Sequence, residues 1–192
     1  MNIINLLNAE YLVSILLIVC IVAMVFNKKI NIAGIFQLQF KIFKNNKTKK
    51  VSILDILSFI ICPVVLSLTI CLWYGFIIDK ELAQILTTAF SLIFTLLFAF
   101  QAILVSKKDS NNKVEREVIH QTFVSIVTAS IYSLVIIVLS VILMFVSNCT
   151  AVKVLTILVL TLSFMTIMLL LMIIKRTFKV YIHDDNQSSN NK

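Results

Sequence analysis

Long apolar runs alternate with short polar intervals along this chain. Apolar residues dominate positions 9–26, 53–78, 82–105, 123–147 and 154–174. A helix needs about 20 predominantly apolar residues to cross the hydrocarbon core of a bilayer. Four runs clear that length, and residues 3–7 extend the first. The pattern predicts five transmembrane helices. A different pattern fills the first interval, FQLQFKIFKNNKTKK at 36–50. Phe36, Leu38, Phe40 and Ile42 alternate there with Gln37, Gln39 and Lys41, as in a half-buried strand. In the tail, TFKVYIH at 177–183 sets Phe178, Val180 and Ile182 against Lys179, Tyr181 and His183. The two segments predict a small two-stranded sheet. An interfacial helix is the close rival for the first: it would gather Ile32, Phe36, Phe40 and Phe43 on one face, interrupted by Gln39.

Composition supports the membrane reading. The 192 residues are 60% hydrophobic and only 14% charged, with two glycines and one proline. Mean hydropathy is +1.03. A single aqueous core of this size could not bury so much apolar surface, so lipid must solvate most of it.

Charge sets the expected orientation. Seven lysines lie between residues 28 and 50, four basic residues lie between 107 and 116, and four lie between 175 and 192. The alternate connections hold only Lys80 and Lys153, so 15 of 17 basic residues share one side. By the positive-inside rule that side is the cytoplasm, the N-terminus is outside and the C-terminus inside. The expected fold class is an all-α integral membrane protein of the cell (plasma) membrane, with about five spans and the small cytoplasmic sheet. Its organisation is an N-terminal anchor at 1–27, a basic cytoplasmic loop at 28–52, a four-helix transmembrane bundle at 53–176 and a cytoplasmic tail at 177–192. The first run lacks the basic n-region and small-residue cleavage site of a signal peptide. The net charge of +8 is topogenic and suited to anionic headgroups. No nucleic-acid motif accompanies it, and no direct nucleic-acid binding is expected.

Candidate chemistry is sparse. Cys20, Cys62, Cys71 and Cys149 lack metal-ligand or C-x-x-C spacing and read as small packing residues. Asp55, in Ser52-Ile53-Leu54-Asp55, reads as part of a capping box at the start of the second span. His120 and His183 sit at cytoplasmic boundaries without partner ligands or nucleophiles nearby. No hydrolase, metalloprotease or phosphate-loop motif occurs, and neither enzymatic activity nor a cofactor or metal is expected. Pro63 interrupts the second span and predicts a kink.

The informative pattern is a stripe. Gln84, Thr88, Ser91 and Thr95, continued by Ala99 and Ala102, recur at spacings of three and four and share one face of the third span. The fourth span carries Ser125, Ala129, Ser133 and Ser140, with Thr128 alongside. Small and hydroxyl residues permit close helix approach, so packing within the chain is the plain reading. A hydroxyl-lined pore in an oligomer is the sharper one.

ILDILSFIICPVVLSLTI at 53–70, TTAFSLIFTLLFAFQAILV at 87–105 and HQTFVSIVTASIYSLVIIVLSVI at 120–142 resemble small multi-spanning membrane proteins associated with bacterial anti-phage (retron-type) defence. The resemblance implies an inner-membrane protein that permeabilises the membrane in defence. The expected function is thus a non-enzymatic, oligomerising membrane-disrupting effector. Alternatives are an accessory membrane subunit that recruits a cytoplasmic partner, or a small permease. The partners implied are the lipid bilayer, further copies of the chain, or a cytoplasmic protein.

Overall fold

The computed structural model describes residues 32–42, 57–106 and 113–190. The first apolar run, the lysine-rich return at 43–52 and the 52–55 capping motif lie outside the described residues. Helix α1 is Ile32–Ile42, and a π-helical turn, Leu57–Ile61, leads directly into α2, Cys62–Trp73. Helices α3, Lys80–Ser106, α4, Lys113–Phe145, and α5, Cys149–Asn190, complete the order. Three of these are long and apolar enough to cross a membrane: α3, α4 over Arg116–Phe145, and α5 over Cys149–Phe178. The second expected span is shorter, with an apolar helical stretch of Phe59–Trp73.

The expected sheet does not form. Residues 36–42 lie within α1 and residues 177–183 within α5, and no strand occurs among the described residues. A lone strand leaves its backbone donors and acceptors open, whereas a helix satisfies its own, so beside a bilayer the helix prevails over a weak alternating pattern. Gln39, the residue that interrupts a helical apolar face, is only 5% exposed, while Gln37 and Leu38 are exposed. Residues 179–190 continue α5 beyond its apolar stretch as far as Asn190.

Pro63 lies at the start of α2, immediately after the π-helical turn. A proline ring crowds the carbonyl four residues earlier and offers no N–H. A π-helical turn redirects backbone hydrogen bonds at the point where this donor is missing. The helix then stops at Trp73, well short of the expected 78. Gly75 supplies the reversal, with φ +63°, and the Phe76 N–H reaches the Ile70 carbonyl at 3.4 Å. A non-glycine residue is disfavoured in that left-handed region. Ile78 folds inward to 1% exposure, and Asp79 caps α3 by accepting the Leu82 N–H at 2.8 Å. Asn148 begins α5 in the same way, accepting the Thr150 N–H at 3.1 Å.

Helix α4 is the centre of the bundle and packs against α1, α3 and α5. Helix α2 packs on α5 and makes no contact with α3, although only residues 74–79 separate them in sequence. The spatial row is therefore α2, α5, α4, α3. Near the 74–79 turn, Ile78, Phe90, Ile136, Leu143 and Val159 form one buried cluster. Towards the other end, Leu97, Ile126, Ala129, Leu169 and Ile173 form a second. Lipid is as apolar as leucine, so apolar burial alone does not drive such helices together; close packing and polar links must contribute.

Candidate functional site

The two small-residue stripes of the sequence face opposite ways. In α4, Ser125, Thr128, Ala129, Ser133 and Ser140 are all buried, together with Thr122 and Ser130. Their hydroxyls bond mostly to their own helix: Ser125 donates to the Gln121 carbonyl at 3.0 Å, Thr128 to Val124 at 2.9 Å and Ser133 to Ala129 at 2.9 Å. Such back-bonding satisfies the hydroxyls, and their small size lets neighbouring helices approach. This stripe packs within the chain, as its composition predicts.

The α3 stripe does not. Ala83, Phe90 and Leu97 mark the buried line of α3. Gln84, Thr88, Ser91 and Thr95 lie on the far side of the helix, and all four are exposed. Thr88 donates to the Gln84 carbonyl at 3.0 Å, Ser91 to Thr87 at 2.7 Å and Thr95 to Ser91 at 2.9 Å. The hydroxyls are thus individually satisfied, yet the polar line is covered by no described element. Packing within the chain accounts for the α4 stripe and leaves the α3 stripe without a described partner.

Four polar links join the row. Gln101 Nε2 donates to Ser130 Oγ at 3.0 Å, tying α3 to α4. Arg176 Nη1 reaches Ser125 Oγ at 3.3 Å, tying α5 to α4. The Ser67 and Thr161 hydroxyls bond each other between α2 and α5. The Ile78 N–H reaches Thr156 Oγ1 at 3.3 Å, fastening the 74–79 turn to α5. The sequence counts Arg176 among the topogenic charges and singles out neither it nor Gln101 as an interhelical donor. The available signal was their position, since a long polar side chain near the end of a span can reach a hydroxyl on the adjacent helix.

One polar side chain is less well accommodated. Gln39 of α1 is buried, and both its amide nitrogen and its amide oxygen lack a hydrogen-bond partner among the described residues. Phe36, one turn earlier on α1, stacks at a tilt on Tyr132 of α4, with ring centroids 5.7 Å apart.

Among the described residues, no group of three or more His, Cys, Asp or Glu side chains converges to hold a metal ion. Cys62, Cys71 and Cys149 are free thiols. An apolar groove of about 550 Å³ opens between α3 and α5, floored by Ile126 of α4. What these features can do is mediate contact between helices. Comparison with known proteins gives no match among family models, characterised proteins or solved structures.

Proposed function

We propose that this chain is a non-enzymatic multi-pass membrane protein that assembles with copies of itself through the polar face of α3, and that the assembly permeabilises the membrane. The observation that carries this reading is the exposed line Gln84, Thr88, Ser91 and Thr95 on the side of α3 away from its own bundle. Polar side chains facing lipid are rare, and hydroxyl and amide groups at such positions serve as contacts between helices. In a ring of copies the same line would present hydroxyls to a water-filled path. The five-span count, an exported N-terminus, a cytoplasmic C-terminus and residence in the plasma membrane belong to the same proposal, supported by the 15-to-2 division of basic residues. A role in anti-phage defence is the biological setting that the sequence resemblance suggests for it.

Induced expression with a membrane-potential dye tests the proposal. The unaltered chain depolarises the membrane, whereas Ser91→Leu and Thr95→Leu accumulate in the membrane equally and do not. Normal depolarisation by both variants would remove the α3 face from the mechanism; silence of the unaltered chain would remove permeabilisation.

One feature favours a second reading, an accessory subunit that recruits a cytoplasmic partner. Helix α5 has 42 residues, or roughly 63 Å at 1.5 Å per residue, about twice the hydrocarbon thickness. Its C-terminal end extends past the apolar stretch and offers a place for such a partner. Under this reading, ending the chain after Phe178 abolishes function without affecting self-association.

A further inference from the structure

The row α2, α5, α4, α3 has two unlike edges. Among the described helices that follow the π-helical turn, α2 is held only by α5, through the Ser67–Thr161 hydroxyl pair, and α3 only by α4. Each edge helix turns a line of small and polar residues away from the row. At about 100° per residue, Cys62, Val65 and Thr69 lie roughly 140–160° round α2 from the docked Ser67. Gln84, Thr88 and Ser91 lie roughly 100–160° round α3 from the buried Phe90. All six are exposed. The Thr69 hydroxyl donates to the Val65 carbonyl at 2.8 Å, as Thr88 and Ser91 donate within α3, and each hydroxyl oxygen can still accept. The Gln84 amide, with two donors and an acceptor, has no hydrogen-bond partner among the described residues.

The two lines stand at the same depth. Thr69, Val65 and Cys62 lie four, eight and eleven residues before Trp73, the last residue of α2. Gln84, Thr88 and Ser91 lie the same four, eight and eleven residues after Lys80, the first residue of α3. At 1.5 Å per residue these steps are roughly 6, 12 and 17 Å. The two helix ends are themselves level. Six residues of α2 lead from Ser67 to Trp73, and five of α5 lead from its partner Thr161 to Thr156, which the Ile78 N–H meets in the turn before α3.

We propose that the α3 edge of one copy docks on the α2 edge of the next, with Gln84 against Thr69, Thr88 against Val65 and Ser91 against Cys62. The contact rests on the reading of α3 as the self-association face and names what that face meets. Copies inserted under one charge rule stand the same way up. Helices α2 and α3 run in opposite directions from their turn, so α3 meets the next copy's α2 antiparallel, with the lines in register. The Gln84 amide finds an acceptor in the Thr69 hydroxyl, and the small side chains of Ser91 and Cys62 let the helices close. Pairing α3 with a second α3 would also align polar residues, but it would leave Cys62 and Thr69 facing lipid. The unlike contact covers both lines at once. Like edges stop at two copies, whereas unlike edges repeat from copy to copy and can close into a ring, the form a permeable assembly requires.

The test reads oxidative crosslinks between full-length copies in membranes. One chain keeps Cys62 alone, its other cysteines replaced by alanine. A second, differently tagged chain carries Ser91→Cys and no native cysteine. On co-expression, oxidation is expected to join one kind to the other and neither kind to itself. A single chain holding both thiols should give a ladder of multimers. Thr69→Cys with Gln84→Cys, in a chain without native cysteines, should give the same ladder and guards against a local effect of either first thiol. Cys62 with Gln84→Cys should not crosslink, because their levels differ by roughly 10 Å and the Cα atoms of a disulfide lie about 4.4–6.8 Å apart. Products within one kind, at or above the mixed yield, would overturn the contact of unlike edges. If the Ser91→Cys chain forms them, self-association through α3 stands and only the proposed partner edge falls. Absence of every crosslink, from membranes that hold the protein, would remove self-association through α3 as well.

Discussion

The Gln101 amide of α3 donates to the Ser130 hydroxyl of α4 at 3.0 Å, while Ser130 in turn donates to the Ile126 carbonyl at 2.9 Å. The hydroxyl therefore joins two helices by passing one hydrogen bond in and another out. A double-mutant cycle with Gln101→Leu and Ser130→Ala is expected to give a coupling of about 0.6–1 kcal/mol in detergent unfolding. Ser130→Ala alone is expected to cost more than Gln101→Leu alone, because it leaves the half-buried amide without its acceptor. Additive single effects would show that the contact contributes nothing.

The buried amide of Gln39 carries the opposite expectation. An unsatisfied buried polar group costs about 1–3 kcal/mol, so Gln39→Leu should stabilise the contact of α1 with α4 by an amount in that range. Protease accessibility of α1 in membranes provides the readout. Faster cleavage in the variant would mean that the amide holds α1 in place.

Leucine scanning should separate the two stripes. Ser133→Leu adds the bulk of a branched hydrocarbon side chain at a position with no exposure and should destabilise the fold by about 1–3 kcal/mol. Ser91→Leu and Thr95→Leu, on the exposed face of α3, should leave unfolding unchanged and weaken crosslinking between copies. Equal loss of stability in all three variants would place the α3 face inside the bundle.

That contrast shows how far the sequence reaches. Spacings of three and four establish that Ser91 and Thr95 share a face, as do Ser125 and Ser133. They do not say which way the face points. In a soluble helix the polar side is the water side; in a bilayer the core and the solvent are both apolar, so the usual sign is lost. The apolar runs predict α3 almost to the residue, because Asp79 and Lys80 begin it abruptly. They miss the end of α2, because Phe76, Ile77 and Ile78 are as apolar as the helix they leave, and Gly75 is the sole mark of the turn. The alternation at 36–42 misleads for a related reason: five or six residues fit a strand and a helix nearly equally, and the backbone's need for partners decides.

The 74–79 turn should be unusually sensitive for a connection. Ile78→Ala is expected to cost about 2–4 kcal/mol, since the side chain is 1% exposed and sits in the cluster with Phe90 and Val159. Gly75→Ala should cost roughly 1 kcal/mol from its φ of +63° alone, as an added Cβ there meets nothing within 4 Å. Thermal unfolding of the purified protein measures both, and a harmless Ile78→Ala would detach the turn from the core.

Topology offers a separate check. Reporter fusions after residues 45, 80, 112, 150 and 190 should read inside, outside, inside, outside and inside. An exported reporter at position 45 would overturn the five-span arrangement.

Because α2 docks on α5 rather than on α3, the order of synthesis matters. The hydroxyl partners Ser67 and Thr161 are 94 positions apart, and the backbone of Ile78 waits 78 positions for Thr156. A ribosome delivers α2, then α3, then α4, yet among the described residues none of these supplies the surface that α2 occupies. Only when the final helix emerges can the earliest of the four take its seat, with the turn at Gly75 already spanning the gap that α5 will fill. Among the described helices, a chain halted after α4 therefore carries α2 without the surface it docks on, and α5 closes the row.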